Sequence, residues 1–240
     1  MYCIIPLAGP DFVHPTLGIK PLFESGNQAL ISEILNSRSW VKSGELKSEK
    51  MIFVLRDISE AKECEEYLRQ NFNGCGIVKI SDFSKGALMT SLAALSLIKN
   101  FDEPVICDLV DINFSFQHSV SAIFQDENIG AILPFFKSDD LAYSYAELDQ
   151  NNYVSQTKEK KGWKFGKNET EFGNASAGVY FFRDVKIFLA AVIDSIENFQ
   201  NYNHKENLFL CPAMNGVIKN NKKVLAVEVG DVDSVGLNFK

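Results

Sequence analysis

The alternation of apolar strand-like segments with amphipathic segments is the feature that most constrains how this chain can fold. Apolar runs of strand length occupy residues 2–7, 51–56, 76–80 and 104–108. The stretch 86–98 between the last two carries its leucines at helical spacing, so that they fall on one face. Strands that alternate with helices are typical of a parallel sheet with crossover connections. The first half of the chain is therefore predicted to be Rossmann-like α/β.

The pattern changes after a fully apolar strand predicted at 129–136. The segments 141–147 and 153–157 alternate apolar and polar residues, which is typical of half-exposed antiparallel strands. We find no internal repeat, low-complexity tract or linker, so one domain is expected over residues 1–240. The fold class is an α/β fold with a central mixed, mostly parallel sheet, flanking helices and a small antiparallel extension. The remaining predicted elements are the strands 176–182 and 224–229 and the helices 27–35, 59–72, 118–124, 185–196 and 208–218.

Composition excludes several classes of partner. The net charge is −7 and no basic stripe is present, so neither nucleic acid nor an anionic membrane surface is an expected partner, since both are bound through clustered Lys and Arg. No uncharged apolar run approaches the ~20 residues that a bilayer requires, and the start does not read as a secretory signal. The five cysteines are scattered and odd in number, a usage typical of buried thiols in a reducing compartment. We predict a soluble cytoplasmic protein.

Loops beyond the carboxyl ends of the parallel strands form the predicted ligand site. In this class of fold, ligands bind there because the loops present backbone amides. That geometry nominates the loop after the first strand, the turn Ser84-Lys85-Gly86, the end of the 104–108 strand and the Lys-rich insertion at 156–175.

Five short motifs, met in one order along the chain, carry a family resemblance. They are IIPLAG followed by IKPL, then FSKGALMTSLAAL, VICDLVDI, TKEKK and NASAGVYFF. In order and spacing they resemble the sugar-phosphate nucleotidyltransferases, whose fold is of the GT-A type, and in particular a capsule-type branch of that family. The resemblance covers residues 1 to about 220. It implies a nucleotide-binding half at 1–136 and an acceptor-binding half at 137–240.

The resemblance implies an enzyme that transfers a nucleoside monophosphate from a nucleoside triphosphate to a small phosphorylated metabolite. A sugar phosphate for capsule or surface polysaccharide synthesis is the expected acceptor, and pyrophosphate is the second product. Such a transfer needs no protein nucleophile, since positioning and charge neutralisation do most of the catalysis. Mg²⁺ is the implied cofactor. The SKGA turn resembles that of cytidylyltransferases, which makes CTP the mildly preferred nucleotide, and the family also allows a homo-oligomer.

The catalytic residues implied by the resemblance are Lys20 and Asp111. Lys20 would place its ammonium on the phosphates, and Asp111 would hold the metal. Asp108 lies three residues before Asp111, which is not a DxD spacing, so one of the two is expected to be structural. The family's second metal carboxylate comes late in the chain. Here the ending VGDVDSVGLNFK offers Asp231 or Asp233, of which Asp233 is our choice, without the family's Gly-Thr-Pro motif.

Substrate contacts are expected on both sides of the phosphates. Glycines allow the close backbone approach to base and ribose that a Cβ would block, and Phe12, on the first loop, is expected to stack on a base or to cover the pocket. The nucleotide-binding residues are predicted to be Leu7, Ala8, Gly9, Lys20, Ser84, Lys85, Gly86 and Ala87. The acceptor-binding residues are predicted to be Lys160, Gly178, Glu206 and Asn207.

The first loop departs from the family pattern. Relatives continue with a glycine-rich turn and an arginine that grips the triphosphate, whereas Pro10 has no N–H to offer and Phe12 cannot cheaply take a positive φ. Val13 or His14 stands at the arginine position. Losing a charge-assisted hydrogen bond costs roughly 1.5 to 3 kcal/mol. Asp11 also brings a negative charge beside the expected triphosphate.

Two alternative functions stay open at this stage. A GT-A glycosyltransferase that uses a finished nucleotide sugar would be expected to show a DxD motif and a downstream catalytic base, and neither is evident. A non-catalytic nucleotide-binding relative would explain the missing glycines and arginine of the first loop.

Overall fold

The structure is a computed structural model that describes residues 1–159 and 172–234. Runs of apolar residues form the longer strands, and pairs of two-residue strands form small hairpins within loops. The strands are β1 (Tyr2–Pro6), β2 (Val13–His14), β3 (Gly18–Ile19), β4 (Glu24–Ser25), β5 (Gln28–Ala29), β6 (Met51–Arg56), β7 (Gly76–Ile80), β8 (Val105–Asp108), β9 (Asn113–Ser115), β10 (Ile129–Ser138), β11 (Tyr145–Leu148), β12 (Val154–Lys158), β13 (Gly173–Ser176), β14 (Val179–Phe182), β15 (Lys223–Glu228) and β16 (Gly230–Asp233).

Helices connect the strands and cover the sheet. They are α1 (Leu30–Ser37), α2 (Ser39–Lys42), α3 (Ala61–Asn71), α4 (Ala87–Ala93), α5 (Val120–Ile123), α6 (Val185–Glu197), α7 (Phe199–Tyr202) and α8 (Leu210–Lys219), with 3₁₀ turns at Pro10–Phe12, Lys20–Leu22, Ser48–Lys50 and Ala94–Leu97. In the described part of the chain, no helix is both long and apolar enough to cross a bilayer.

Ten strands form one sheet, in which the order of neighbours is β12-β11-β13-β10-β14-β8-β1-β6-β7. One edge of β10 pairs with both β13 and β14, and its opposite edge pairs with β15. The strands β8, β1, β6 and β7 run parallel, with Cys3 opposite both Met51 and Ile106. Their carboxyl ends therefore lie along one edge of the sheet. The predicted Rossmann-like arrangement with a mostly parallel centre is confirmed for this half of the chain.

Antiparallel pairing dominates the second half of the sheet. β14 runs antiparallel to both β8 and β10, β13 pairs antiparallel with the end of β10 beyond β14, and β11 and β12 continue the sheet from β13. The single strand predicted at 176–182 is in fact two strands, because the chain breaks at Ala177 and Gly178, where Gly178 has φ +74°. The sheet divides at this break: β13 leads to β11, and β14 leads to β8.

Two buried layers enclose the sheet. On one face Leu35 of α1 and Leu68 of α3 pack with Phe53. On the other face Phe188 of α6 and Met214 of α8 lie in a second buried cluster with strand residues. These layers arise because consecutive side chains of each apolar strand point to opposite faces, so a fully apolar strand must be covered on both.

Some predicted boundaries differ from the structure. The strand predicted at 141–147 begins only at Tyr145, because Asp140 accepts hydrogen bonds from the amides of Ala142 and Tyr143 and holds the segment before it in a turn. The helix predicted at 86–98 is α4 continued by the 3₁₀ turn Ala94–Leu97. Period alone does not separate an α-helical turn from a 3₁₀ turn over so few residues.

Candidate active site

A cavity of about 610 Å³ opens where the parallel strands end. Its walls come from the loop after β1, the turn before α4, the loop after β8, the β10–β11 loop and the break between β13 and β14. Ten of the predicted site residues line it: Leu7, Ala8, Gly9, Lys20, Ser84, Gly86, Ala87, Asp111, Gly178 and Asn207. Segments more than 200 residues apart in sequence thus meet in one cavity.

Three predicted site residues do not line this cavity, although the structure describes them. Lys85 and Glu206 each neighbour a lining residue but do not line the cavity themselves. Asp233 lies exposed on β16 and is also outside the lining. Lys160 lies outside the described residues.

The first loop folds differently from a glycine-rich turn. Pro10 begins a 3₁₀ turn, a position that needs no N–H, and Gly9 before it has an ordinary φ of −69°. A Cβ on Gly9 would come within 2.8 Å of the Asp11 carboxylate, so glycine serves a close approach here rather than a left-handed turn. The amides of Ala8 and Gly9 donate to no other described residue, and both residues line the cavity. They remain available to a ligand oxygen.

Lys20 and Asp11 form an ion pair across the loop. The Lys20 ammonium donates to Asp11 Oδ2 at 2.9 Å, with the lysine side chain 21% and the aspartate side chain 71% exposed. Asp11 lies in the loop where relatives have glycines and an arginine. Its carboxylate therefore neutralises Lys20, the cation predicted to bind phosphate.

Asp111 presents an unsatisfied carboxylate oxygen to the cavity. Its Oδ1 is buried and has no hydrogen-bond partner among the described residues. Burial, and then the negative charge of Asp108, raise the pKa of Asp111 to about 6, while the charge of Lys20 opposes the shift. Hard divalent cations bind carboxylate oxygens of this kind. Asp111 therefore fits the role of a metal ligand, although the described residues contain no cluster of three or more metal-ligating side chains.

Gly178 makes room for that carboxylate. A Cβ at this position would lie 2.6 Å from Asp111 Oδ1, and the φ of +74° is one that residues with a side chain adopt at a cost. The amide of Leu109 also donates to the Gly178 carbonyl at 3.0 Å, which ties the loop after β8 to the break in the sheet.

Asp108 is the structural member of the Asp108 and Asp111 pair. Arg38 binds both of its carboxylate oxygens, from Nε at 2.8 Å and from the second guanidinium nitrogen at 2.9 Å, and also donates to the Ile112 carbonyl at 3.0 Å. Asp108 Oδ1 in addition accepts the amide of Val110, which has an unusual φ of +50°. No sequence signal marked Arg38, because it stands in a polar segment between two helices and is buried only by tertiary packing.

Gly86 has a structural requirement of its own. Its φ is +97°, and a Cβ would meet the carbonyl oxygen of Leu208 at 2.3 Å. The Leu208 amide also donates to the Lys85 carbonyl at 2.8 Å, which holds the two segments together. Gly86 thus lets the turn before α4 lie directly against the segment that carries Asn207.

The cavity also contains polar side chains that sequence reasoning did not single out. Glu159 is 7% exposed and accepts a hydrogen bond from the Ser144 hydroxyl, and both line the cavity. Nearby Ser176 donates to the Tyr180 hydroxyl at 2.8 Å, and burial raises the pKa of Tyr180 well above its ordinary value. Glu159 stands in the TKEKK motif directly before Lys160, so the motif itself carried a signal for it.

Comparisons with known proteins place the fold. No protein-family model matches the chain, and no curated protein matches its sequence. Among solved structures, a nucleoside-diphosphate-sugar pyrophosphorylase from Vibrio cholerae RC9 superposes with a TM-score of 0.79 at 18% identity, over 99% of this chain and 98% of that one.

Two further solved structures are similar over nearly the whole chain. An inositol-1-phosphate CTP transferase from T. maritima has a TM-score of 0.66 at 14% identity, over 97% of this chain and 86% of that one. A Bacillus anthracis protein assigned as a glucose-1-phosphate thymidylyltransferase, solved with sucrose, has a TM-score of 0.66 at 16% identity, over 98% of this chain and 90% of that one. The chain therefore has the fold of the sugar-phosphate nucleotidyltransferases, as its motifs predict.

Proposed function

We propose that this protein is a nucleotidyltransferase that joins the nucleoside monophosphate of a nucleoside triphosphate to a small phosphorylated metabolite. The observation that carries the proposal is the convergence of Lys20, Asp111 and the available amides of Ala8 and Gly9 in one cavity at the carboxyl ends of the parallel strands. A cation, a carboxylate and backbone donors are what the transfer of a phosphoryl group requires.

The reaction follows from the charges in the cavity. An oxygen of the acceptor phosphate attacks the α-phosphorus, a new P–O bond forms, and pyrophosphate leaves with the electron pair of the broken bond. Lys20 neutralises phosphate charge, and the amides of Ala8 and Gly9 orient the nucleotide. Asp111 would hold a Mg²⁺ ion, which supplies further charge neutralisation on the phosphate oxygens.

The acceptor is proposed to be a sugar or polyol phosphate. Glu159, Ser144 and Asn207 line the same cavity, and carboxylate, hydroxyl and amide groups are suited to a polyhydroxylated substrate. The three similar structures are named for a nucleoside-diphosphate sugar, an inositol phosphate and a glucose phosphate. We retain Glu206 and Lys160 as second-choice acceptor contacts, and Asp233 as the second carboxylate to test for metal binding.

The nucleotide, the pathway and the cellular location are each proposed from a separate observation. CTP is the first nucleotide to test, supported by the SKGA turn and by the CTP transferase among the similar structures. A role in capsule or surface polysaccharide synthesis rests on the motif resemblance. A reducing, cytoplasmic location is supported by the cysteines Cys3, Cys64, Cys75, Cys107 and Cys211, which are all buried and free.

The decisive experiment measures pyrophosphate release. Each of the four common nucleoside triphosphates is supplied with Mg²⁺ and a panel of sugar 1-phosphates and inositol 1-phosphate. We expect release that requires both substrates, and a loss of at least about 100-fold in Asp111→Asn, in line with the loss of a group that stabilises developing charge. Asp102→Asn, at an exposed ion pair with Lys186 far from the cavity, is the matched control. Silence across the panel, or an unchanged Asp111→Asn variant, would overturn the proposal.

A second candidate is a non-catalytic nucleotide-binding protein. The Lys20–Asp11 ion pair favours it, because a neutralised lysine contributes less to a transition state. Calorimetry separates the two: tight nucleotide binding that needs no metal and leads to no turnover with any acceptor would support the binding protein. The glycosyltransferase alternative is tested in the same reactions by supplying nucleotide sugars without a triphosphate.

A further inference from the structure

Phe83 is an exposed aromatic residue at the rim of the cavity. It is 52% exposed, although a phenylalanine ring is strongly apolar, and it lines the cavity directly before Ser84. It follows β7, whose carboxyl end lies on the same edge of the sheet as those of β1 and β8. The backbone is set locally, since the Phe83 amide donates to the Asp82 carboxylate at 2.7 Å.

The side chain of Arg56 packs against one face of the Phe83 ring. The guanidinium of Arg56, the last residue of β6, lies 4.1 Å from the ring centroid. Arg56 Nε is buried and has no hydrogen-bond partner among the described residues. The guanidinium therefore contacts the ring without a hydrogen bond from Nε that would direct it elsewhere. A cation on one face of an aromatic ring holds the ring in place and leaves the opposite face for another planar group.

Phe12, another aromatic residue of the cavity lining, is not available for this role. Phe12, which the sequence favoured for stacking on a base, is only 3% exposed and belongs to the buried core beside Leu7 and Ile19. Phe83, on the loop after β7, is therefore a better candidate than Phe12 for stacking on a base. Phe83 is the first residue of the FSKGALMTSLAAL motif, but the resemblance implied no role for it.

We propose that the exposed ring of Phe83, backed by Arg56, is the platform on which the nucleobase stacks. This inference rests on the proposed function and adds a specificity determinant to it. A base has a π-face whatever its identity, so the platform accepts all four bases and favours the larger purine rings by contact area. Any preference for cytosine must then come from polar groups elsewhere in the cavity.

The test compares ligands that have a base with one that lacks it. Binding of the four nucleoside triphosphates and of inorganic triphosphate is measured by calorimetry on the wild type, Phe83→Ala, Phe83→Leu and Phe83→Trp. We expect Phe83→Ala to weaken nucleotide binding roughly 5- to 150-fold and to leave inorganic triphosphate unchanged. Phe83→Trp should retain nucleotide affinity, and Phe83→Leu should fall between. Phe101→Ala, at a 42% exposed phenylalanine outside the cavity lining, is the matched control.

The outcomes separate this inference from the proposed function. If the wild type binds nucleotides and Phe83→Ala binds them equally well, the platform is wrong and the nucleotidyltransferase proposal stands. If the wild type binds no nucleotide, both fail. Arg56→Leu checks the supporting residue: weaker binding of nucleotides alone supports it, and weaker binding of inorganic triphosphate would show that Arg56 contacts phosphate instead.

Discussion

Arg38 and Asp108 form a bidentate ion pair directly beneath the loop that carries Asp111. The two bonds are 2.8 and 2.9 Å long, and the side chains are 1% and 0% exposed. The same guanidinium lies 4.4 Å from the Phe114 ring centroid, so it is packed as well as paired. The pair, together with the Asp108 contact to the Val110 amide, sets the course of the chain into the cavity.

Removing the arginine alone should destabilise the protein severely. Arg38→Met leaves a buried, unpaired carboxylate, and we expect the free energy of unfolding to fall by about 3 to 5 kcal/mol, measured by urea denaturation. The double variant Arg38→Met with Asp108→Asn should regain much of that loss, because the buried charge is gone and the asparagine oxygen still accepts the Val110 amide. The exposed pair Lys186–Asp102 serves as the control, and its loss should be unmeasurable. Equal stability of the single and double variants would contradict this prediction.

The pKa of Asp111 predicts a pH dependence of stability. The folded-state pKa of about 6 lies above the unfolded value, so the folded protein binds more protons between about pH 4 and pH 6 and loses stability as the pH rises through that window. Asp111→Asn should therefore raise the melting temperature at pH 7.5 and raise it much less at pH 4.5, near the start of that window. The gain corresponds to roughly 1 to 3 kcal/mol.

Mg²⁺ provides the companion measurement. A ligand that binds only the folded state raises its stability, so millimolar Mg²⁺ should raise the melting temperature of the wild type at pH 7.5. The shift should vanish in Asp111→Asn and shrink at pH 4.5, where the carboxyl group is protonated. An Asp111→Asn variant that is less stable than the wild type at pH 7.5, or that keeps the Mg²⁺ shift, would refute the assignment of an unsatisfied carboxylate.

Gly178 should be required for the site beyond its effect on stability. Gly178→Ala strains a residue at φ +74° and pushes a methyl group to 2.6 Å from Asp111 Oδ1. Gly44→Ala introduces the same kind of strain at φ +79° with no atom within 4 Å. Both variants should lose about 1 to 2 kcal/mol of stability. Only Gly178→Ala should lose the Mg²⁺ shift and pyrophosphate release; equal activity in the two variants would contradict the steric argument.

Asp11 should restrain Lys20. Replacing it in Asp11→Asn removes the carboxylate partner at 2.9 Å, and we expect inorganic triphosphate to bind several-fold tighter without metal, because the lysine charge becomes available. Lys20→Gln should bind it more weakly than the wild type, and the double variant should resemble Lys20→Gln. The reading is wrong if Asp11→Asn weakens metal-free binding, which would show that Asp11 supports the anion site.

The sequence by itself determined the strand and helix order of the parallel half and the edge of the sheet at which the cavity lies. Apolar runs such as Met51–Arg56 and the helical spacing of leucines in 86–98 depend on local periodicity, which a single sequence displays. The motifs also named most of the residues that line the cavity. The break at Gly178 was hidden, because a strand interrupted by one left-handed residue keeps its apolar pattern on both sides.

Only the tertiary structure decided the partners of the charged groups. It assigned Asp108 to Arg38, gave Asp111 Oδ1 no partner within residues 1–159 and 172–234, and paired Lys20 with Asp11. Arg38 and Asp108 stand 70 residues apart in sequence, and the energy of a charge depends on its burial and on its neighbours in space rather than along the chain. For that reason the sequence could name Asp108, Asp111 and Lys20, while their partners followed from packing.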